Sequence, residues 1–435
     1  MGKTIPAAAV PSLRLTPQDE ADLRHLGVQL EREVVSMFEN YLFRDQRSVD
    51  AAKWKAVRSE GGLHAYKEHQ LSQKGAPRGD ALTALYDAEK QSPGPQQLLA
   101  ERSTQPRVLV TGTVPGTLDD LMYGMGFQDT PSFQDFWASR DERVDESAVV
   151  AKLEGAGVDD PYRFLGILWV LRSFPLNIFQ RRDHLSLSVR RTTQLSNGDR
   201  VGISIGHSIE HRDLPELLEL NTIRAVSSLL TIYRQYDADR VEVFVVHFAE
   251  ANGSIPDSTH VREGINYVMS TTASMCEAGF RRKLEWLVKR RQHDHLDDAL
   301  GDAIEPKSSG TNDFCEVCDK KLGKLFSSPG TSCQLCYQRI CSRCRVSHEL
   351  LTESSRSTRA ALRAHDFCMQ CSLHARTTPT LSVAQDLAQY RHSTTSTSSV
   401  KSSSLSSTKS SDSSSSMSRD RTLTTLLPSG MLKTV

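Results

Sequence analysis

The chain has 435 residues, with 53 lysines and arginines balanced by 53 aspartates and glutamates, so its formal net charge at pH 7 is zero. This balance excludes an overall electrostatic preference for nucleic acid or an anionic membrane, and any basic patch must be local. The length predicts about two or three domains. The longest apolar run, residues 164–171, is too short to span a bilayer, and the first residues lack the apolar core of a signal peptide. We therefore expect a cytoplasmic protein with reduced cysteines.

The N-terminal segment predicts an amphipathic helix. Thr16 occupies the N-cap position, Pro17 lies in the first turn, and Asp19 lies near the positive end of the helix dipole. Apolar residues then recur every three or four positions, at Leu23, Leu26, Leu30, Val34, Met37 and Tyr41. We expect the helix to run to about Phe43 and to bury this face.

Short strand-like segments follow. Residues 54–66 and 107–114 have strand character. Between them, residues 68–106 are rich in Gln, Gly, Pro and Ala, which predicts a loose insertion with one short helix near residues 81–90. Another helix is predicted to begin at Thr117.

Two strand pairs are predicted next. Residues 185–189 and 201–205 alternate apolar with small or polar residues, and Asn197-Gly198 between them is a strong hairpin signal. Residues 229–236 and 241–248 form a second pair, whose later strand is apolar on nearly both faces and is therefore expected to be covered on both.

A long helix is predicted from about Asp257 to Arg291. Its apolar stripe consists of Val261, Ile265, Val268, Thr272, Cys276, Phe280, Leu284 and Leu287. An antiparallel sheet needs its apolar face covered, and one long amphipathic helix can cover it. The order of elements therefore predicts an α+β fold in which this helix covers an antiparallel sheet.

Four motifs in residues 1–300 carry a resemblance to a known family: Trp54-Lys55, residues 114–124 (VPGTLDDLMYG), residues 198–202 (GDRVG) and residues 283–287 (KLEWL). They resemble the START-like domains that occur joined to a FYVE-type zinc finger. The resemblance implies a helix-grip fold, in which a curved antiparallel sheet wraps on the long helix, with a tunnel for one lipid or sterol-like ligand.

Eight of the nine cysteines form four Cys-x-x-Cys pairs: Cys315/Cys318, Cys333/Cys336, Cys341/Cys344 and Cys368/Cys371. Each pair can bind a metal ion from two sides of a tight turn, and two pairs complete one tetrahedral zinc site. A disulfide cluster would require an oxidising compartment. We therefore predict two structural Zn²⁺ ions.

The spacing of the pairs resembles the FYVE finger, because only four residues separate the second pair from the third. By that resemblance the two sites interleave in a cross-brace. Cys315, Cys318, Cys341 and Cys344 would hold the first zinc ion, and Cys333, Cys336, Cys368 and Cys371 the second.

The elements with which FYVE fingers bind phosphatidylinositol 3-phosphate are missing. Residues 329–334 around the third cysteine contain no cation, residues 308–314 lack the expected Trp-x-x-Asp, and Asp366 replaces the arginine expected before the seventh cysteine. The sequence therefore argues against this lipid, and the finger is closer to the FYVE-related modules that bind partner proteins.

Residues 320–326 lie where membrane-binding fingers carry an insertion loop. They combine cationic and apolar side chains, namely Lys320, Lys321, Leu322, Lys324, Leu325 and Phe326. Each lysine near an anionic surface contributes about 1 kcal/mol. The expected partner is a membrane, peripherally at endosomes, or a membrane-associated protein; the alternative is that Leu325 and Phe326 pack beneath the zinc sites.

The predicted organisation is a START-like domain (1–300), a linker (301–313), a FYVE-type finger (314–374) and a disordered tail (375–435). Residues 393–418 are nearly all serine and threonine, which is too polar for a packed core.

One pattern raises an enzymatic alternative, since His207, Glu210 and His211 match the H-x-x-E-H motif of inverted zinc peptidases. That chemistry needs both histidines on one helical face, whereas the preceding alternation places His207 at the end of a strand, where the imidazoles would stand about 13 Å apart. We therefore predict no catalytic residue. Two hypotheses remain: a lipid-binding protein with one hydrophobic ligand, and a protein–protein adaptor whose cavity is filled by side chains.

Overall fold

The computed structural model describes residues 13–69, 107–140, 143–173, 179–217, 221–250, 252–253, 255–301, 314–322, 330–353 and 360–403. The predicted insertion with its short helix, most of the predicted linker and residues 404–435 lie outside the described residues. The chain divides into two compact units, residues 1–389 and 390–435. The contacts below belong to the first unit.

The predicted helices and strands that fall on described residues occur in the predicted order, together with elements that the sequence did not predict. The helices are α1 (Pro17–Glu39, continued by a π-helical turn, Asn40–Arg44), α2 (Leu118–Gly124), α3 (Thr130–Ala138), α4 (Asp257–Gly301), α5 (Met369–Thr377) and α6 (Thr380–Ser403). The strands are β1 (Trp54–Glu60), β2 (Leu63–Glu68), β3 (Val108–Pro115), β4 (Val144–Glu154), β5 (Phe164–Arg172), β6 (Arg181–Gln194), β7 (Arg200–Ser208), β8 (Thr222–Arg224), β9 (Val226–Gln235), β10 (Arg240–Glu250), β11 (Thr331–Ser332), β12 (Arg339–Ile340), β13 (Arg345–Glu353) and β14 (Ala360–Cys368). No helix among the described residues has both the length and the apolarity needed to cross a membrane.

Ten of the described strands form one sheet in the order β1-β2-β3-β10-β9-β7-β6-β5-β4, with β8 added parallel to β6. The other pairings are antiparallel. The Asn197-Gly198 turn joins β6 to β7, and β9 pairs with β10 across residues 236–239, as predicted. The predicted combination of an antiparallel sheet with a long helix is confirmed.

Different helices cover the two faces of this sheet. On one face, Leu23 and Val34 of α1 join a core cluster with Leu187 of β6. On the other face, Val268 of α4 joins a second cluster with Val243 of β10. Strand β10 is therefore buried on both sides, which confirms the prediction from its apolar sequence.

Helix α4 crosses α2 with the two backbones in direct contact. A Cβ atom added to Gly279 of α4 would overlap the carbonyl oxygen of Asp120, and one added to Gly124 of α2 would overlap that of Met275. Thr117 caps α2, since its hydroxyl accepts a hydrogen bond from the Asp120 amide at 3.1 Å. The glycines thus set the distance between α2 and α4.

The cysteine-rich segment packs on the second half of α4. Phe280 and Leu284 of α4 share a hydrophobic cluster with Ile340 and Phe367. Glu285 accepts a hydrogen bond from the Leu351 amide at 2.8 Å, and burial raises the pKa of its carboxyl group. One helix therefore supports both the sheet and the cysteine-rich segment.

The prediction that the long helix ends at Arg291 is wrong, because α4 continues to Gly301. The two arginines at positions 290 and 291 suggested a cationic C-terminus. In the structure Arg290 forms an ion pair with Asp386 of α6 at 2.7 Å, so its charge has a partner in another helix.

The prediction of disorder from residue 375 is wrong for the part of the tail that the structure describes, residues 375–403. Val383, Ala384 and Ala388 of α6 are buried, and the first two join the cluster that contains α2 and α4 residues. The serine-rich composition that suggested disorder begins only near residue 393. Apolar residues at helical spacing precede it and form the docked face.

Lys283 of α4 anchors the start of α6. Its side chain is 2% exposed, and its Nζ donates to the carbonyl oxygen of Thr378 at 2.9 Å and to Oγ1 of Thr380 at 3.0 Å. The Asp120 carboxylate lies 3.5 Å from Nζ and also accepts a hydrogen bond from the Thr380 hydroxyl. Three segments therefore meet at one buried cation.

We expect Gly279→Ala to lower the free energy of unfolding by about 1–3 kcal/mol, because the new methyl group forces α2 and α4 apart. Gly264→Ala on the same helix is the matched control. Its Cβ would lie 3.0 Å from Cε1 of His247, which is a side-chain atom and not backbone. Both substitutions gain similar helix propensity, so the difference between their free energies of unfolding reports the clash. Denaturant titration monitored by circular dichroism measures these free energies. Equal effects would contradict the proposed helix contact.

Candidate functional site

A cavity of about 280 Å³ lies between the sheet and α4. Residues at helical spacing on α4 form one wall, from His260 through Glu263 and Tyr267 to Met275. These positions extend over about 22 Å along the helix axis. Strands β5, β6, β7, β9 and β10 form the opposite wall. The cavity is therefore long and narrow.

One part of the cavity is aromatic. Phe127 and Phe133 pack with ring centroids 4.5 Å apart, and Trp137 of α3 stacks on Tyr267 of α4 at 6.2 Å. Leu168 of β5 completes this surface. Such a lining favours a hydrocarbon group. The sequence predictions missed α3, which supplies two of these four rings, although Asp129, Thr130 and Pro131 form a recognisable helix start.

The sheet wall of the cavity is polar. Strand β6 turns alternate residues toward it, namely Arg182, His184, Ser186, Ser188 and Arg190. The residues between them, including Leu185 and Leu187, face α1. The sequence predicted the alternation but did not indicate which face would line a cavity.

Arg190 is a buried cation with a structural role. It donates hydrogen bonds to the carbonyl oxygens of Met125 at 2.8 Å, Phe127 at 2.7 Å and Tyr162 at 3.2 Å. Its guanidinium also lies 4.3 Å from the centroid of the Phe127 ring. These contacts fix the chain between α2 and α3 against the sheet.

Two histidines of the lining are uncharged at neutral pH. Burial, reinforced by nearby Arg172 and His260, lowers the pKa of His184 to about 3. Burial and His260 lower the pKa of His247 to about 4. Both imidazoles therefore offer hydrogen bonds rather than charge to a ligand.

The cysteines form two compact groups. Cys315, Cys318, Cys341 and Cys344 have Sγ atoms within 4.8 Å of one another, and so do Cys333, Cys336, Cys368 and Cys371. These are the groups that the resemblance to the FYVE finger implies. Each could bind a metal ion.

The sulfur distances test whether a zinc ion fits. Cys318 and Cys341 Sγ lie 3.7 Å apart, and Cys336 and Cys368 Sγ lie 4.0 Å apart. A tetrahedral site with Zn–S bonds of about 2.3 Å requires a sulfur–sulfur edge of about 3.8 Å. A disulfide requires about 2.05 Å, and these thiols are free. The spacing therefore fits Zn²⁺.

The thiol pKa values within the first group differ, because ionisation of one sulfur makes ionisation of its neighbours less favourable. Burial opposes ionisation of Cys315, but backbone N–H groups including those of Cys341 and Val317 outweigh it and lower its pKa to about 6. Burial, with the neighbouring thiols, raises the pKa of Cys344 to about 12. Four thiolates in one place need a cation, which a divalent metal would supply.

The predicted insertion loop is only partly described. Lys320 and Lys321 are exposed, whereas Leu322 is buried in the cluster that contains Cys315 and Ile340. The prediction that Leu322 faces a membrane or partner is therefore wrong, since it packs under the cysteine groups. Lys324, Leu325 and Phe326 lie outside the described residues.

The H-x-x-E-H residues do not converge. His207 is the penultimate residue of β7, near the end of the strand as predicted, and is buried, with Nδ1 3.0 Å from the Ser228 hydroxyl. Glu210 is exposed, and His211 Nε2 lies 4.0 Å from Asp19. Within the described part of the chain, the two cysteine groups are the clusters of three or more potential ligands.

No protein-family model and no curated protein sequence matches the chain. Among solved structures, human STARD10 is 13% identical with a TM-score of 0.35, over 62% of this chain and 84% of that one. Human StAR-related lipid transfer protein 5 is 13% identical with a TM-score of 0.35, over 59% and 97%. The lipid transfer and protein localization domain of human StarD13 is 12% identical with a TM-score of 0.33, over 55% and 96%.

We expect the purified chain to contain two zinc ions, because each cysteine group supplies a full ligand set. Cys344→Ser should lose at least one of them, since it removes one of four ligands. Cys276→Ser is the control, because this ninth cysteine lies on α4 outside both groups. Metal analysis by mass spectrometry measures the content. Two ions in Cys344→Ser would contradict the assignment.

Proposed function

We propose that this chain is a non-enzymatic lipid-binding protein whose START-like region holds one hydrophobic ligand between the sheet and α4. The cavity is the observation that carries the proposal. Protein interiors contain few voids larger than a water molecule. A cavity of about 280 Å³ with Phe127, Phe133 and Trp137 in its lining has the character of a ligand site.

The arrangement of elements supports the START-like interpretation. An antiparallel sheet with a long helix over one face is what the helix-grip resemblance implies. Residues 114–124, which carry part of that resemblance, include α2, and Gly124 of α2 makes the close contact with α4. The motif thus has a physical role in placing the helix that covers the cavity.

We further propose that the cysteine-rich segment is a FYVE-type zinc module that docks the protein, in the cytoplasm, to a membrane or a membrane-associated partner. The exposed side chains of Lys320 and Lys321 support an electrostatic contact with an acidic surface. The chain lacks the sequence elements with which FYVE fingers bind phosphatidylinositol 3-phosphate, and Leu322 is buried. Both observations argue against binding of this lipid in the manner of FYVE fingers.

Filling the cavity tests the lipid-binding proposal. Gly206 of β7 lines the cavity, and no atom lies within 4 Å of the position of an added Cβ. We expect Gly206→Leu to weaken lipid binding at least about tenfold, or about 1.4 kcal/mol, because the side chain occupies the ligand space. Native mass spectrometry and displacement of a fluorescent lipid analogue measure binding.

Gly206→Ala is the matched control, since a single methyl group leaves most of the cavity open. Both variants should keep the wild-type thermal stability or exceed it, because leucine and alanine restrict the unfolded chain more than glycine does. If the wild-type chain carries no lipid and takes up none from a broad panel, the lipid-binding proposal fails and the adaptor hypothesis replaces it.

A further inference from the structure

Three histidines from different elements line the cavity. They are His184 of β6, His247 of β10 and His260 of α4. His260 is the first residue of α4 in the lining, and Tyr267, which stacks on Trp137, lies about 10 Å further along the helix axis. The cavity wall on α4 therefore begins at an imidazole and continues into the aromatic part.

The three imidazoles lie near one another. Cε1 of His247 lies 3.0 Å from the position of a Cβ added to Gly264, which is one helical turn after His260. Residues four apart on a helix have Cβ atoms about 5–6 Å apart. Burial is the largest cause of the low pKa of His184, and nearby basic groups, including both other imidazoles, add to it. The histidines therefore form one cluster, built from two strands and α4.

Two members of this cluster have hydrogen-bonding capacity that the protein does not use. Among the residues that the structure describes, neither His184 nor His247 has a hydrogen-bond partner, and His247 is only 9% exposed. A neutral imidazole carries one donor and one acceptor nitrogen. A buried polar group without a partner costs about 1–3 kcal/mol. A ligand that pairs with these nitrogens would remove that cost.

The arginines of the lining already have contacts within the protein. Arg143 forms an ion pair with a carboxylate of the lining at 3.1 Å. Arg182 and Arg190 donate hydrogen bonds to backbone carbonyl oxygens. The Arg172 guanidinium lies 5.0 Å from the centroid of the Tyr267 ring. We therefore assign recognition of the polar part of a ligand to the uncharged imidazoles.

We propose that the cavity binds a single-chain lipid with an uncharged hydroxyl head group, with the hydroxyl at His184 and His247 and the chain along the aromatic part. This inference rests on the proposed lipid-binding function. A hydroxyl group can accept a hydrogen bond from one imidazole and donate one to the other. A carboxylate accepts but cannot donate, and its charge makes its transfer from water into a cavity costly.

The size of the cavity supports a single chain. Its volume of about 280 Å³ lies just below the lower end, about 300 Å³, of the usual range for small-molecule sites. That volume is drawn out along about four turns of α4, from His260 to Met275. A long, narrow space suits one extended chain better than two chains or a fused ring system.

Displacement of a fluorescent lipid analogue from the full-length, zinc-containing chain tests the head group. Four ligands share a twelve-carbon chain and differ in the head: dodecanol, the glycerol monoester of dodecanoic acid, dodecanoate and the methyl ether of dodecanol. A sterol completes the series. We expect at least one of the two hydroxyl ligands to bind about tenfold or more tightly than dodecanoate and the ether. The preferred one distinguishes a simple alcohol from an acylglycerol.

The outcomes separate the inference from the proposed function. If dodecanoate, the ether or the sterol binds as tightly as both hydroxyl ligands, the single-chain hydroxyl ligand is wrong while lipid binding stands. If none of the five ligands binds, the proposed function itself fails.

Removal of one imidazole gives the second test. His247→Phe keeps a ring of similar shape and removes both nitrogen atoms. It should weaken binding of the preferred hydroxyl ligand about tenfold and leave binding of the ether within about twofold. His64→Phe is the matched control, because His64 is an exposed residue of β2 in the same sheet and does not line the cavity. An unchanged preference for the hydroxyl ligand in His247→Phe would overturn the proposal.

Binding of the ether also reports whether the cavity of the variant is intact. If His247→Phe loses binding of both ligands, His184→Phe decides, since it removes the other imidazole and keeps His247. Loss of the preference for the hydroxyl ligand in His184→Phe supports the proposal, and a retained preference overturns it.

Discussion

The close contact between α2 and α4 is the constraint on which much of the described structure depends. Because Gly279 leaves no room for a side chain against Asp120, the two helices cannot separate or slide without losing the contact. The first half of α4 then covers the cavity, and its second half supports the cysteine groups through Phe280 and Leu284. A shift of this single helix would disturb both regions, which couples them mechanically without a shared ligand.

Lys283 adds a buried group of polar contacts to the packing of α2 against α4. A buried ammonium group is unfavourable unless several partners surround it. Here the partners come from α2, through Asp120, and from the start of α6, through Thr378 and Thr380. Burial lowers the pKa of Lys283 and the Asp120 carboxylate opposes that shift, so the cation depends on this carboxylate. These contacts hold the start of α6 against α2 and α4.

Sequence reasoning was most accurate where local chemistry dictates the structure. The Asn197-Gly198 hairpin, the N-cap at Thr16 and the spacing of the cysteine pairs each depend on a few neighbouring residues. Sequence reasoning failed where contacts between distant segments determine the structure. The docked face of α6 contains too few apolar residues to stand out beside a serine-rich tract, and the two arginines that suggested an end of α4 lie inside the helix. The face of β6 that lines the cavity depends on where α4 packs.

The position of the cavity follows from a change of side-chain chemistry along β10. Val241, Val243 and Val245 join α4 residues in one apolar cluster, so helix and sheet touch there. Two residues further along the same face, His247 lines the cavity instead. Close packing of α4 against β6 would bury Arg182 and His184 in an apolar environment, which is costly. The polar face of the sheet therefore accounts for the space between β6 and α4.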